Sequence, residues 1–536
     1  MKRLLLTILC LTASICQVLH ATTREDVATD IATLSKLLYH LNANYVDTVD
    51  VDALTEVAIK AVLGELDPHS TYMTPSEMKT FKESLNGGFE GIGVSFRMVH
   101  DTIMVMRAIE GGPSEKAGIG AGDLIVSCDD KNLAGCKLSN DDIKNTLRGP
   151  EGSTARLGII PSGKDKALTY VNVRRGKIPV YSAETYYMVT DKIGYISIDR
   201  FAMTTAQEVD HIMDLLKAEG MEDLIIDLQN NGGGYLNAAV ELASLFLPPL
   251  QRVVYTKGRS DEQHDYNTSL FSSHFKGRVV VLIDEQSASA SEIFAGCMQD
   301  YDRGVIVGRR SFGKGLVQRP VELPNGGLAR ITVSHYYTPS GRCIQKPYTK
   351  GNKKDYQEDL INRLHSGELL SADSIHLADS LKYYTRAGRV VYGGGGIMPD
   401  IFVPLDTTRI TPAHRAVSAK GSVNDFAVNY FRHHYHDIHT RYPSLDAFLD
   451  TTTGFRVDDE LMRGVIEQAR QDSVVAEGLD SLVYNDYFRT QVLAYLANNL
   501  YDNSAYRRVV NNVSHIYLRA IELLADDRKY RQYLQP

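Results

Sequence analysis

A chain of 536 residues, 43% of them hydrophobic, is long enough for roughly three to four domains with buried cores. Its formal net charge of −8, with no long basic run, excludes an electrostatic footprint for nucleic acid. After Ala21 no apolar run is long enough to cross a bilayer as a helix. Met1 to Ala21, MKRLLLTILCLTASICQVLHA, has a basic start and an apolar centre of signal-peptide length, with cleavage expected after Ala21. The mature protein is expected to be exported, and periplasmic in a Gram-negative cell. A lipid anchor on Cys16 ranks second, because Ile15 stands where such a site wants a small residue. Export leaves Cys128, Cys136, Cys297 and Cys343. Cys128 and Cys136 could pair in an oxidising compartment, but are read as free thiols. No Cys/His spacing suggests zinc, and no metal or cofactor is expected.

Residues 22–81 form an N-terminal helical region: TDIATLSKLLYHLNANYV and DALTEVAIKAVLGEL are amphipathic, and LDPHSTYM with Pro68 ends it. Residues 82–176 then read as short strands between Gly/Asp turns, with one small helix at Ser114–Ala117. Their order, with Gly91–Ile92–Gly93–Val94 opening a strand and A-G-I-x-x-G-D-x-I following, resembles a PDZ domain. The resemblance implies that Gly91, Ile92, Gly93 and Val94 capture a peptide carboxylate, and that the adjoining strand edge takes the peptide as an added strand.

Residues 177–404 alternate strands and helices, as βαβ units do. Leu224–Leu228 is a buried strand, followed by Gln229–Asn230–Asn231–Gly232–Gly233–Gly234 and a helix over 235–246. Strand, glycine loop and helix leave backbone N–H groups open for an anion, and no Gly-Lys-Ser/Thr follows to make a nucleotide loop. VVVLID near residue 280 is another buried strand. It turns through Ser287, Ser289 and Ser291 into a helix over 290–298, whose first-turn N–H groups suit an oxyanion. The same serines serve equally as helix caps. RGVIVG (303–308) is a further strand, and Lys314 follows between Gly313 and Gly315. A lysine desolvated in such a turn loses basicity, and only a neutral amine can take a proton from a serine. Gln318, four residues on, could orient that amine.

Three blocks, S-A-S-A-S-E-I-F-A-G, the Q-D-Y helix end and F-G-K-G-L-V-Q, resemble the carboxy-terminal processing peptidases, or tail-specific proteases. Y-V-D and L-D-P-H-S extend the resemblance towards the N-terminus. It implies a ClpP/crotonase-like αβ protease core with an inserted PDZ domain, and a Ser–Lys serine endopeptidase that recognises and cleaves near C-terminal tails of proteins. Ser289 and Lys314, twenty-five residues apart, fall on the family's nucleophile and base, and Gln318 on its lysine-orienting glutamine. Spacing alone does not choose Ser289 over its neighbours. The glycine loop falls on a family segment D-L-R-x-N-P-G-G, so Gly233 and Ala290 are the implied oxyanion donors. This chain has Gln229 for the arginine and Gly232 for the proline, which puts the loop's rigidity in question. The resemblance also implies subunit contacts through the N-terminal helices and gating by the PDZ domain. A homo-oligomer and an activating adaptor stay open as partners.

Residues 346–392 interrupt the core as a charged, partly helical insertion before Ile397–Met398–Pro399–Asp400. Residues 405–536 read as a helical extension outside the family motifs. His433, His434, His436 and His439 cluster there on one helix and are read as a solvated face rather than a metal site. Two rival readings stand: a Ser–His hydrolase using His335 or His69, and a catalytically inactive PDZ adaptor that binds protein C-termini.

Overall fold

The computed structural model describes residues 24–78, 87–99, 101–109, 111–162, 167–260, 262–271 and 274–536. The expected signal segment, Cys16 included, lies outside them. The chain divides into two units, one ending at Leu66 and one beginning at Asp67.

The described part of the first unit is two helices, Arg24–Asn44 and Val51–Gly64. Asp50 starts the second by accepting the Ala53 N–H at 2.9 Å, as an N-cap carboxylate does.

The second unit opens with a difference from expectation. Thr71–Met73, within the span read as helical, is a short strand paired antiparallel with Leu328–Tyr337. The PDZ-like module then forms a sheet in the order Val94–Val99, Thr102–Ala108, Leu124–Cys128, Thr154–Ile160, Thr169–Arg174, so Val94–Val99 is an edge strand. The small helix is Pro113–Lys116. A second helix that the sequence reading missed, Asn140–Leu147, is set by a capping box between Ser139 and Asp142, and it buries Ile143 and Leu147. Entry and exit strands Gly88–Gly91 and Gly176–Pro179 pair with each other, which closes the module at its neck.

The core is a six-stranded sheet. Ile193–Ser197, Asp223–Asp227, Val279–Ile283, Val305–Gly308 and Ile401–Phe402 run parallel, and Thr185–Met188 runs antiparallel at one edge. Helices Thr205–Ala218, Leu236–Ser244 and Ala290–Asp300 are the crossovers. Both faces of the sheet are buried, which explains why its strands read as continuous apolar runs. One face, with Leu224, Ile226, Val279, Val281 and Ile283, packs on the crossover helices. The other, with Tyr195, Ile225, Val280 and Leu282, packs on Ile516, Tyr517, Ala520, Leu523 and Tyr530. The last two helices, His515–Leu524 and Asp527–Gln532, therefore complete the core. The rest of the C-terminal region is a helical cluster around Phe431, Phe448, Val465 and Phe488, and it packs on Val99, Met104 and Met106 of the PDZ-like sheet.

Among the described residues no helix is long and apolar enough to cross a membrane. Cys128, Cys136, Cys297 and Cys343 are all free thiols.

Candidate active site

Parallel strands deliver the loops at their carboxyl ends to one edge of a sheet, and here those loops are the glycine loop, the serine turn and the lysine segment. The serine turn is the strained element. Ser289 has φ +57° and ψ −113°, a conformation that a side-chain-bearing residue rarely adopts. Its neighbours are committed elsewhere. Ser287 donates to Leu228 O at 2.7 Å and Ser291 to Asn231 O at 2.9 Å, and both are fully buried. Ser289 alone of the three is partly exposed.

A buried carboxylate joins this turn to the lysine segment. Glu292 Oε2 accepts the N–H of Ser289 at 2.9 Å and that of Lys314 at 2.9 Å. Its Oε1 accepts the Gly313 N–H at 2.7 Å and the Ser311 hydroxyl at 2.5 Å. Burial pushes its carboxyl up and these four bonds pull back. Tyr336 adds a second tie: its hydroxyl lies 3.1 Å from Ser289 O and also bonds Lys314 O. Neither residue was singled out from sequence. The S-x-x-E spacing of a capping box was the available signal for Glu292.

Burial first, then the Arg330 guanidinium, push the Lys314 amine down to about 8, against the opposing carboxylates of Glu292 and Asp67. No hydrogen bond joins Ser289 Oγ to Lys314 Nζ among the described residues. Catalytic hydrogen bonds are often open until substrate is bound. Gln318 makes no hydrogen bond to the amine among the described residues either: its Oε1 accepts from Arg330 at 3.4 Å and its Nε2 donates to Leu316 O at 3.5 Å. A register shift between Val317 and Gln318 re-aims the strand just there.

Gly233 packs directly on the serine turn. A Cβ on it would lie 2.7 Å from Ser289 Cβ and from Ala288 O, so only glycine fits. Its N–H, expected as an open oxyanion donor, is donated to Asn231 Oδ1 at 2.8 Å. The acceptor is the fully buried Asn231, whose Nδ2 also bonds Ile198 O at 2.7 Å. The Ala290 N–H, in the first turn of its helix, has no hydrogen bond among the described residues. The loop is tied down in spite of its departures. Gln229 bonds Asp227 through its N–H at 2.8 Å and its amide at 3.1 Å, and Asn230 N bonds Asp284 at 3.0 Å.

The D-P-H-S turn packs beside the lysine. Asp67 Oδ1 accepts the N–H groups of His69 and Ser70, each at 2.8 Å, and the Thr332 hydroxyl at 3.1 Å. Burial, and next the nearby Lys314, push the His69 imidazole down to about 3, and its Nε2 bonds Tyr356 Oη at 2.7 Å. Tyr356 belongs to Lys353–His365, the helix of the insertion. Arg363 of that helix bonds Arg310 O at 2.6 Å and Ser311 O at 3.2 Å, while Glu368 bridges Arg310 and Arg363. The insertion thus clamps the segment that leads to Lys314. His335 faces Cys343, with Nδ1 3.9 Å from Sγ.

In the PDZ-like module the Ile92 and Gly93 N–H groups have no hydrogen bond among the described residues, whereas their carbonyls accept from Ser114 and Ile109. Gly93, at φ +75°, would place a Cβ 2.8 Å from Ile178 Cδ1. On the C-terminal helix His434 stacks on Tyr430 and His439 on Tyr435. Among the described residues no three His, Cys, Asp or Glu side chains are grouped as metal ligands.

An αβ core that brings a strained serine and a desolvated amine to one sheet edge is that of a serine-type hydrolase, here carrying a PDZ module. Residues 192–357 match the model of Peptidase family S41, residues 91–171 that of the PDZ domain, and residues 413–502 a family of unknown function. Similar curated proteins include the probable CtpA-like serine proteases of Staphylococcus haemolyticus (strain JCSC1435) and Staphylococcus aureus (strain MSSA476), each 34% identical. Their matches cover 62% of this chain and, respectively, 67% and 66% of those proteins. The chain therefore spans about two thirds of their length. Among solved structures, a photosystem II D1 C-terminal processing protease is 28% identical, with 57% of this chain and 83% of that one covered and a TM-score of 0.33. The chain belongs to peptidase family S41, the C-terminal processing serine proteases, and is a serine-type peptidase.

Proposed function

We propose that this peptidase is exported and cleaves protein substrates near their C-terminal tails with a Ser289–Lys314 dyad. In this reading Ser289 Oγ attacks the scissile carbonyl carbon as the neutral Lys314 amine takes its proton. The C–N bond then breaks, the leaving amine receives that proton, and water releases the acyl group from Ser289 with Lys314 again as base. The Ala290 N–H receives the oxyanion, and Gly233 joins it by sharing the N–H now held by Asn231. Gln318 reaches Lys314 only if the strand after the bulge shifts on substrate binding. Gly91, Ile92, Gly93 and Val94 hold the tail carboxylate, and the Val94–Val99 edge pairs with the peptide.

The observation that carries the reading is the double tie between the strained Ser289 turn and the Lys314 segment, made by Glu292 and Tyr336. A purely structural helix cap needs no such tie. One observation favours the adaptor reading instead: the occupied Gly233 N–H. The test is cleavage of an unstructured protein with an apolar C-terminal tail by wild type, Ser289→Ala and Lys314→Ala. Cleavage by wild type alone supports the dyad. Binding of the tail without cleavage by any of them supports the adaptor.

A further inference from the structure

The Val94–Val99 edge does not face open solvent along its whole length. A cleft of about 590 Å³ runs between that strand, Asn140 at the start of its neighbouring helix, and Asn424, Asp425, Asn429 and Gln468 of the C-terminal helices Ser422–Arg441 and Asp459–Gln471. That volume accommodates a few residues of extended peptide. The wall is held in place by packing, since Val423 and Val428 share one apolar cluster with Val99, Met104 and Met106.

The helical wall is rich in acceptors. Asn424 Oδ1 and Asp472 Oδ2 are buried without a hydrogen-bond partner among the described residues. Asp472 lies beside Asp425, and its other oxygen accepts from Gln468 at 3.0 Å. Across the cleft stands one guanidinium, Arg97, whose charge Asp425 already feels, although no ion pair joins the two among the described residues. Asp425 lines the cleft and Asp472, outside the lining, adds its charge to it, so two carboxylates outnumber the one guanidinium and favour an incoming donor of positive charge.

A tail whose carboxylate sits at Gly91–Val94 and which pairs antiparallel with the edge strand runs from Val94 towards Val99. Its residues about three to five before the end then lie between Arg97–Val99 and the helical wall. We propose that the C-terminal helices form the upstream half of the tail-binding site and select substrates with a lysine or arginine about three to five residues before the C-terminus. This inference rests on the tail-binding reading above.

The test uses full-length Ser289→Ala protein and fluorescence anisotropy with ten-residue peptides that end in apolar residues. The peptides carry Lys or Glu at the fourth position from the end, with a free or an amidated C-terminus. The free Lys peptide should bind at least about fivefold tighter than the Glu peptide, and Asp425→Lys should abolish or reverse that preference. Asp425 is exposed, so this variant should keep the parent's thermal melt. Equal binding of Lys and Glu peptides, with amidation still abolishing both, overturns the proposal and spares tail recognition. An unchanged Lys preference in Asp425→Lys also overturns it. Amidated peptides that bind as tightly as free ones, or no binding by any peptide, overturn both.

Discussion

The two faces of the core sheet are covered by different kinds of segment. The helices over Leu224, Ile226, Val279 and Val281 are the crossovers that join the strands, so each begins where a strand ends. The glycine loop and the Ser289 turn lie at two of those junctions, where N–H groups are unpaired and backbone strain can be held by packing. The face over Tyr195, Ile225, Val280 and Leu282 is closed by helices from the far end of the chain. They bring apolar cover and a few anchors, such as the Tyr530 hydroxyl on both the N–H and the carbonyl of Val279 at 3.1 and 3.0 Å. The proposed chemistry sits with the covalently linked helices, where strand-end geometry gathers the loops. The other face needs only amphipathic helices.

If the division is sound, changes on the catalytic side should remove activity without unfolding, and changes on the far side the reverse. The largest effect is expected from Ser289→Ala, a loss of at least about a thousandfold in kcat with an unchanged melt. Retained turnover would move the nucleophile elsewhere. Glu292→Gln replaces one acceptor oxygen by an amide that faces backbone N–H groups. It should cost roughly a hundredfold in kcat, through misplacement of Ser289 and Lys314 together. A loss confined to KM would argue against that tie. On the far side, Leu523→Ala should destabilise by about 2–5 kcal/mol in denaturant unfolding while the folded fraction keeps its kcat. A large fall in kcat at full folding would join the two faces functionally.

The smallest effect is set by pH. With Lys314 held near 8, roughly a tenth of it is neutral at pH 7, so kcat/KM should rise nearly tenfold towards pH 9 and level off. The linked stability has the same sign. A lysine whose folded pKa lies below its unfolded value of 10.5 binds fewer protons when folded, so the penalty is full below about pH 8 and is relieved as pH rises towards 10.5. A rate that falls through this window would exclude the neutral amine as base.

Packing also bears on the gating implied by the family resemblance. Met104 and Met106 bury one side of the PDZ-like sheet in the C-terminal cluster, while Ile103 and Val105 face the module's own core. Any swing of the module must either carry that cluster with it or expose these side chains.

By itself the sequence determined the local elements of this protein. Its apolar runs specified the core strands and its glycines the loops between them, while two motif blocks pointed to Ser289 and Lys314 by resemblance. These are short-range properties of φ/ψ preference and side-chain period, so they can be read from adjacent residues. Only the tertiary structure decided which serine is strained, that Glu292 and Tyr336 tie it to Lys314, and that Asn231 takes the Gly233 N–H. It also decided that the last helices close the sheet and that other C-terminal helices wall the PDZ cleft. Periodicity reports that a face is buried but not what buries it. The partners of Glu292 and Val280 lie about twenty to more than two hundred residues away, where no local pattern reaches.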